Sequence, residues 1–239
     1  MSQQTEINSN ESVAKTLWNN PIFILVGSMG LFLLTQLLSA LAVLPVSQTL
    51  KNDNYTLAAY VGTGLLTLIV ILSIVRVIHP FRWSAIGLMW PSRRALVSVI
   101  PALFIYIFIS ASLTILATQF IPGFNAQQVQ DVGFDKLNHP AELVTAFLAL
   151  VVITPIVEEV IFRGILFKGL RRRLPFWVSA VFTSVLFAVA HGQWNVAVDT
   201  FALSIILCYL VEKNQSSVPT ILVHGLKNGL AFVLLFVYK

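Results

Sequence analysis

Seven apolar runs, at about 21–46, 57–78, 96–121, 141–162, 176–191, 195–212 and 218–238, constrain this chain more than any other feature. A helix needs roughly 20 apolar residues to cross the hydrocarbon of a bilayer, a length that the first three runs and the last reach. Lipid offers no hydrogen bonds, so such segments satisfy their own backbone as helices. The runs 176–191 and 195–212 are short, and the second contains Asp199. They read as two thin spans or as a broken, partly re-entrant hairpin. Charged residues make up only 10% of the chain and hydrophobic residues 57%, whereas a soluble domain is about a quarter charged. The expected fold is therefore all-α, a polytopic transmembrane bundle of about seven to eight helices, some short, tilted or broken.

The chain divides into a polar segment at 1–20, transmembrane helices over 21–140, and a C-terminal part over 141–239 where ionisable residues enter the apolar runs. Glu6 and Glu11 outweigh Lys15, and the run after them is too long for a cleaved signal, so it reads as a retained span. Topology accounts for the net charge of +5 without a nucleic-acid partner. Arg82, Arg93 and Arg94 lie in loop 79–95, and Arg163, Lys168 and Arg171 to Arg173 in loop 163–175. Two spans separate these loops, so both fall on one side, read as cytoplasmic together with the N-terminus. The lone Cys208 excludes an internal disulfide framework.

Glu158, Glu159, Arg163, His191, Asp199, His224, Lys227 and Asn228 stand out because ionisable or strongly polar groups at membrane depth cost several kcal/mol and usually face the bundle interior. On a helix Glu159 and Arg163 are four residues apart and pair, while Glu158 points about 100° away and keeps no such partner. A free carboxylate there has the chemistry of a general base. A Glu–Arg pair alone would more simply be an ion pair at a helix end; adjacent glutamates after an apolar run are harder to explain that way. Phe187 and His191 share one helix face, and His224 and Asn228 share another. The turn near Pro175 lies midway between the glutamates and His191, so an antiparallel hairpin brings them level. Asp199 faces the interior and neutralises Lys227, or else belongs to the site.

Glu158-Glu159-x-x-x-Arg163, Phe187-x-x-x-His191 and His224-x-x-x-Asn228, in that order, resemble the three-motif signature of the CPBP family. These are the CaaX-processing and bacteriocin-processing intramembrane endopeptidases, also described as Abi proteins. The resemblance covers about 141–232 and implies a membrane protease acting on membrane-associated or lipidated peptides or proteins. It implies that Glu158 activates water with His191, that His224 and Asn228 supply oxyanion donors, and that Glu159, with Arg163 and Phe187, supports them. Metal-free glutamate catalysis with no cofactor is favoured; the alternative is Zn²⁺ held by Glu158, His191 and His224 with an open water position. Membrane lipid and a membrane-associated peptide or protein are the expected partners, and a bacterial cytoplasmic membrane the expected location. Two other functions share these features: a non-proteolytic immunity or regulatory membrane protein of the same fold, and a small proton-coupled transporter. The sequence has no internal repeat of the kind that transporters carry.

One conflict arises within this reading. His191 ends its run, whereas His224 lies near the start of the last one, which would place them toward opposite membrane faces if every run spans evenly.

Overall fold

Where the sequence is apolar, the backbone is helical. In a computed structural model, which describes residues 20–50, 53–78, 83–128, 130, 137 and 139–238, seven helices account for nearly all of the regular structure. They are α1 (Pro21–Leu50), α2 (Asp53–Ile78), α3 (Arg93–Phe120), α4 (Pro140–Arg171), α5 (Phe176–Val189), α6 (Trp194–Asn214) and α7 (Val218–Val237). Five helices, α1, α3, α4, α6 and α7, are long and apolar enough to cross a membrane, and no strand occurs among the described residues. The polar segment 1–19 and Arg82 lie outside the described residues.

Large apolar side chains face outward along these helices, including Leu33, Leu37, Phe104, Phe108 and Val185. In water such a surface would far exceed the apolar patch of an ordinary monomer; in a bilayer it is the lipid contact. Inside, Ile24, Phe32, Ile71, Val157, Val160, Phe162 and Phe187 form one continuous core under α1, α2, α4 and α5. Helix α4 lies at its centre, with Val160 to Phe167 all buried.

Two predicted boundaries change. The stretch 163–171 is the buried end of α4 rather than the start of a loop, because Arg163 is neutralised in place and no longer resists burial. The region 176–212, read as two thin spans or a broken hairpin, has no break within either of its helices. It is a short helix of 14 residues followed by an unbroken one of 21, since Asp199 is satisfied by Tyr106, Ser110 and Lys227 and does not interrupt the backbone.

The basic loops do lie at one end of the bundle. Arg171 pairs with Glu212 at 2.6 Å, and Asn214 donates to Ser98 Oγ at 3.3 Å beside the arginines that open α3.

The depth conflict is resolved at the start of α7. Gln215, in the left-handed region at φ 54°, ends α6, and the chain then turns inward. Ser217 N–H donates to Gly87 O at 2.7 Å, Ser217 Oγ to Ile86 O at 3.1 Å, and Ser216 Oγ to Met89 O at 2.9 Å. The short helical turn Trp83–Ile86 is itself inserted against α4, where a Cβ on Gly164 would approach Ile86 O to 2.8 Å. Gly164 is seven residues short of Arg171, so α7 begins about 10 Å deeper than that end of α4. Seven further residues bring His224 to the level of Glu159.

Candidate active site

Helix α4 departs from α-helical winding on both sides of the two glutamates. The stretches Leu148–Ile153 and Val160–Phe167 are π-helical, and Thr154–Glu159 between them is α-helical. A π turn widens the helix and redirects the side chains and carbonyls around it, and such turns recur at functional sites.

Glu159 and Arg163 are fully buried. Arg163 Nη1 donates to Glu159 Oε1 at 2.9 Å, and the guanidinium lies over the Phe187 ring with Cζ 4.4 Å from its centroid. His224 Nδ1 lies 3.0 Å from the same Glu159 oxygen. A carboxylate oxygen accepts, so Nδ1 carries the proton and Nε2 is turned to the other side. There Nε2 is 3.7 Å from Glu158 Oε2. The adjacent glutamates thus separate by environment: Glu159 is locked to a cation beneath His224, and Glu158 faces a cavity.

That cavity, of about 310 Å³, is lined by Glu158, His191, His224, Lys227 and Asn228 together with Phe32, Gln36 and the Leu150 region of α4. His191 Nδ1 lies 2.8 Å from Phe187 O. Because a carbonyl only accepts, this bond fixes the proton on Nδ1 and leaves Nε2 as the acceptor of a neutral ring. The Phe187 ring contacts both histidines edge-on, 4.9 Å from His191 and 5.8 Å from His224 between centroids. Asn228 Nδ2 donates to Leu150 O at 2.9 Å, in the first π stretch. One amide hydrogen is thereby used and the second remains.

All of the residues singled out in the three motifs therefore lie within one region, four of them on the cavity wall. Glu159 and Arg163 are beneath it, and the ring that Glu159 holds is that of His224, not His191. Asp199 is outside this cavity, paired with Lys227 at 3.3 Å. Sequence reasoning missed Phe32 and Gln36 of α1 and the carbonyl of Leu150. A legible signal for the last was Gly225-x-x-x-Gly229, the small-residue spacing that lets helices approach closely. A Cβ on Gly225 would lie 3.0 Å from Val151 O, and Gly229 faces the Val151 side chain.

Among the described residues no group of three or more His, Cys, Asp or Glu side chains is placed as a set of metal ligands. Nδ1 of His191 is committed to Phe187 O and Nδ1 of His224 to Glu159, which turns both Nε2 atoms toward the Glu158 side, where they could meet a water or a cation. Cys208 is buried among α4, α5 and α6 residues, apart from the cavity.

Fold and site together define a helical integral membrane protein with a buried acid–histidine centre. Residues 140–230 match the family model described as Rce1-like, type II CAAX prenyl endopeptidase, so this part of the chain is similar to the CAAX-protease type that its motifs resemble. No curated protein and no solved structure matches the chain.

Proposed function

We propose that the protein is an intramembrane endopeptidase that cuts membrane-associated or lipidated peptides or proteins by metal-free activation of water. The observation that carries this reading is the placement of Glu158, free of the buried ion pair, on a cavity wall shared with His191, His224 and Asn228.

In this mechanism a water bridges Glu158 and Nε2 of His191, donating one hydrogen to each. Glu158 removes a proton as the water oxygen bonds to the scissile carbonyl carbon. The carbonyl oxygen becomes an oxyanion and accepts from His224 Nε2–H and from the second amide hydrogen of Asn228. His224 donates through both nitrogens in this step, Nδ1 to Glu159 and Nε2 to the oxyanion, and the two glutamates together face the charges of His224 and Arg163. Donors fixed in a site closed to bulk water are worth more than the same donors in solution. When the tetrahedral intermediate collapses, the C–N bond breaks and Glu158 returns its proton to the leaving amine, giving an acid and an amine.

The test is cleavage of a prenylated CAAX-type peptide in proteoliposomes by the native chain and by His191→Ala, each with and without a strong chelator. Cleavage by the native chain, unchanged by chelator and lowered about 10²-fold or more in the variant, is expected. Activity lost on chelation and restored by Zn²⁺ would overturn the metal-free mechanism. Equal turnover in both chains would remove His191 from it.

A further inference from the structure

Glu158 faces two cavities, and only one of them holds the histidines. The second, of about 160 Å³, lies between α1, α2 and α4 and meets the catalytic cavity at Gln36, Thr154 and Glu158. Beyond that boundary it takes in Thr35 and Ser39 of α1. It is closed toward α2 by Gly64, where an added Cβ would lie 2.5 Å from Ile153 Cγ2. At about 30 Å³ for a water in the liquid, the volume has room for about five. Polar groups within an apolar bundle are costly unless they face one another or a water-filled cavity. Thr35 Oγ1 donates to Leu31 O at 2.8 Å and Ser39 Oγ to Thr63 Oγ1 at 3.4 Å, and both oxygens keep lone pairs for further donors. Hydroxyls serving only to tie α1 to α2 would end at the Ser39–Thr63 bond. Here the polar stripe crosses to α4 through Gln36 and Thr154, and Thr154 shares a helix face with Glu158 four residues on. Glu158 Oε2 is buried and accepts no hydrogen bond among the described residues.

We infer that this cleft is the water supply of the active site, holding water against Gln36 and Thr154 and passing it to Glu158. Each bond cut consumes one water, and a peptide seated in the catalytic cavity excludes bulk water from that side of the carboxylate. The cleft reaches the same carboxylate from the side of α1, so a water arrives at the base after the peptide has closed the catalytic cavity. Thr154 is then a positioning residue: its hydroxyl bonds to the water beside Glu158 and does not touch the peptide. Gln36, with two N–H donors and a carbonyl acceptor, holds the next water along the cleft. Substrate and nucleophile thereby approach Glu158 from different sides.

This inference rests on the endopeptidase reading, and a measurement of hydration separates the two. In water-edited solid-state NMR of the chain in bilayers, magnetisation passes from mobile water to the residues that touch it. Ser39 and Thr154 are expected to receive it about threefold faster or more than Ser28 and Thr200, buried residues whose hydroxyls bond to Ile24 O and Val196 O within their own helices. The difference should persist in Glu158→Gln with a prenylated CAAX-type peptide bound. In turnover, Thr154→Val, which replaces the hydroxyl by a methyl group, should lower kcat about tenfold with KM unchanged, and Thr154→Ser should retain most of the rate. A hydroxyl serving only the fold would leave kcat per folded molecule unchanged. Transfer to Ser39 and Thr154 no faster than to the two controls, as a lipid chain in the cleft would give, or full kcat in Thr154→Val, would overturn the water supply. Failure of the native chain to cleave the peptide would instead overturn the endopeptidase reading, with the transfer rates still deciding whether the cleft holds water.

Discussion

Two adjacent glutamates illustrate how one helix assigns different roles to identical side chains. The 100° step between neighbours sends Glu159 into the core and Glu158 to the cavity, and four-residue spacing gives Arg163 to the first alone. That division was legible in the sequence. What was not legible is which histidine each glutamate meets, because helix depth, not spacing, sets that contact. Glu159 bonds to both Arg163 and His224 with no exposed surface. Removing its charge strands a buried guanidinium, which typically costs about 3–5 kcal/mol. Glu159→Gln is therefore expected to lower the unfolding midpoint in detergent by several degrees or more. A midpoint equal to that of the native chain would show that Arg163 finds another partner and that the pair is not structural.

At the scale of the element, the position of α7 depends on a segment that looked like an ordinary loop. Trp83 to Met89 enters between α4 and the start of α7, and its carbonyls receive the Ser216 and Ser217 bonds. Gly87 makes this turn at φ +75°, and Gly164 leaves the space for Ile86. Nothing in the hydropathy pattern distinguishes an inserted turn from a surface loop, so depth was the least legible feature of the fold. The helices themselves were legible to within a few residues, apart from the continuation of α4 to Arg171, because apolar length dictates them. Gly164→Ala places a methyl group against the Ile86 carbonyl and should destabilise the protein by about 1–3 kcal/mol. It should also lower turnover by shifting His224 with α7. Gly27→Ala, where the added Cβ meets open space, is the matched control and should be near neutral. Equal stability of the two variants would mean that the inserted turn does not set the depth of α7.

For the whole molecule, the arrangement places a polar cavity inside an apolar bundle whose outer surface suits lipid. The motif residues were legible because chemistry-bearing side chains are conspicuous in an apolar chain, whereas the contribution of α1 to the cavity was hidden among residues suited only for packing. Phe32 packs edge-on against Phe162 at 5.4 Å between centroids, so the N-terminal helices support the same core that carries the glutamates. Function then turns on whether Glu158 moves the proton. The direct measurement is turnover of a prenylated CAAX-type peptide by Glu158→Gln, with unfolding midpoint and peptide affinity measured on the same preparation. A fall in turnover of about 10²–10⁴, with midpoint and affinity close to native, is the expected result. Turnover within a few-fold of the native chain would contradict Glu158 as the base.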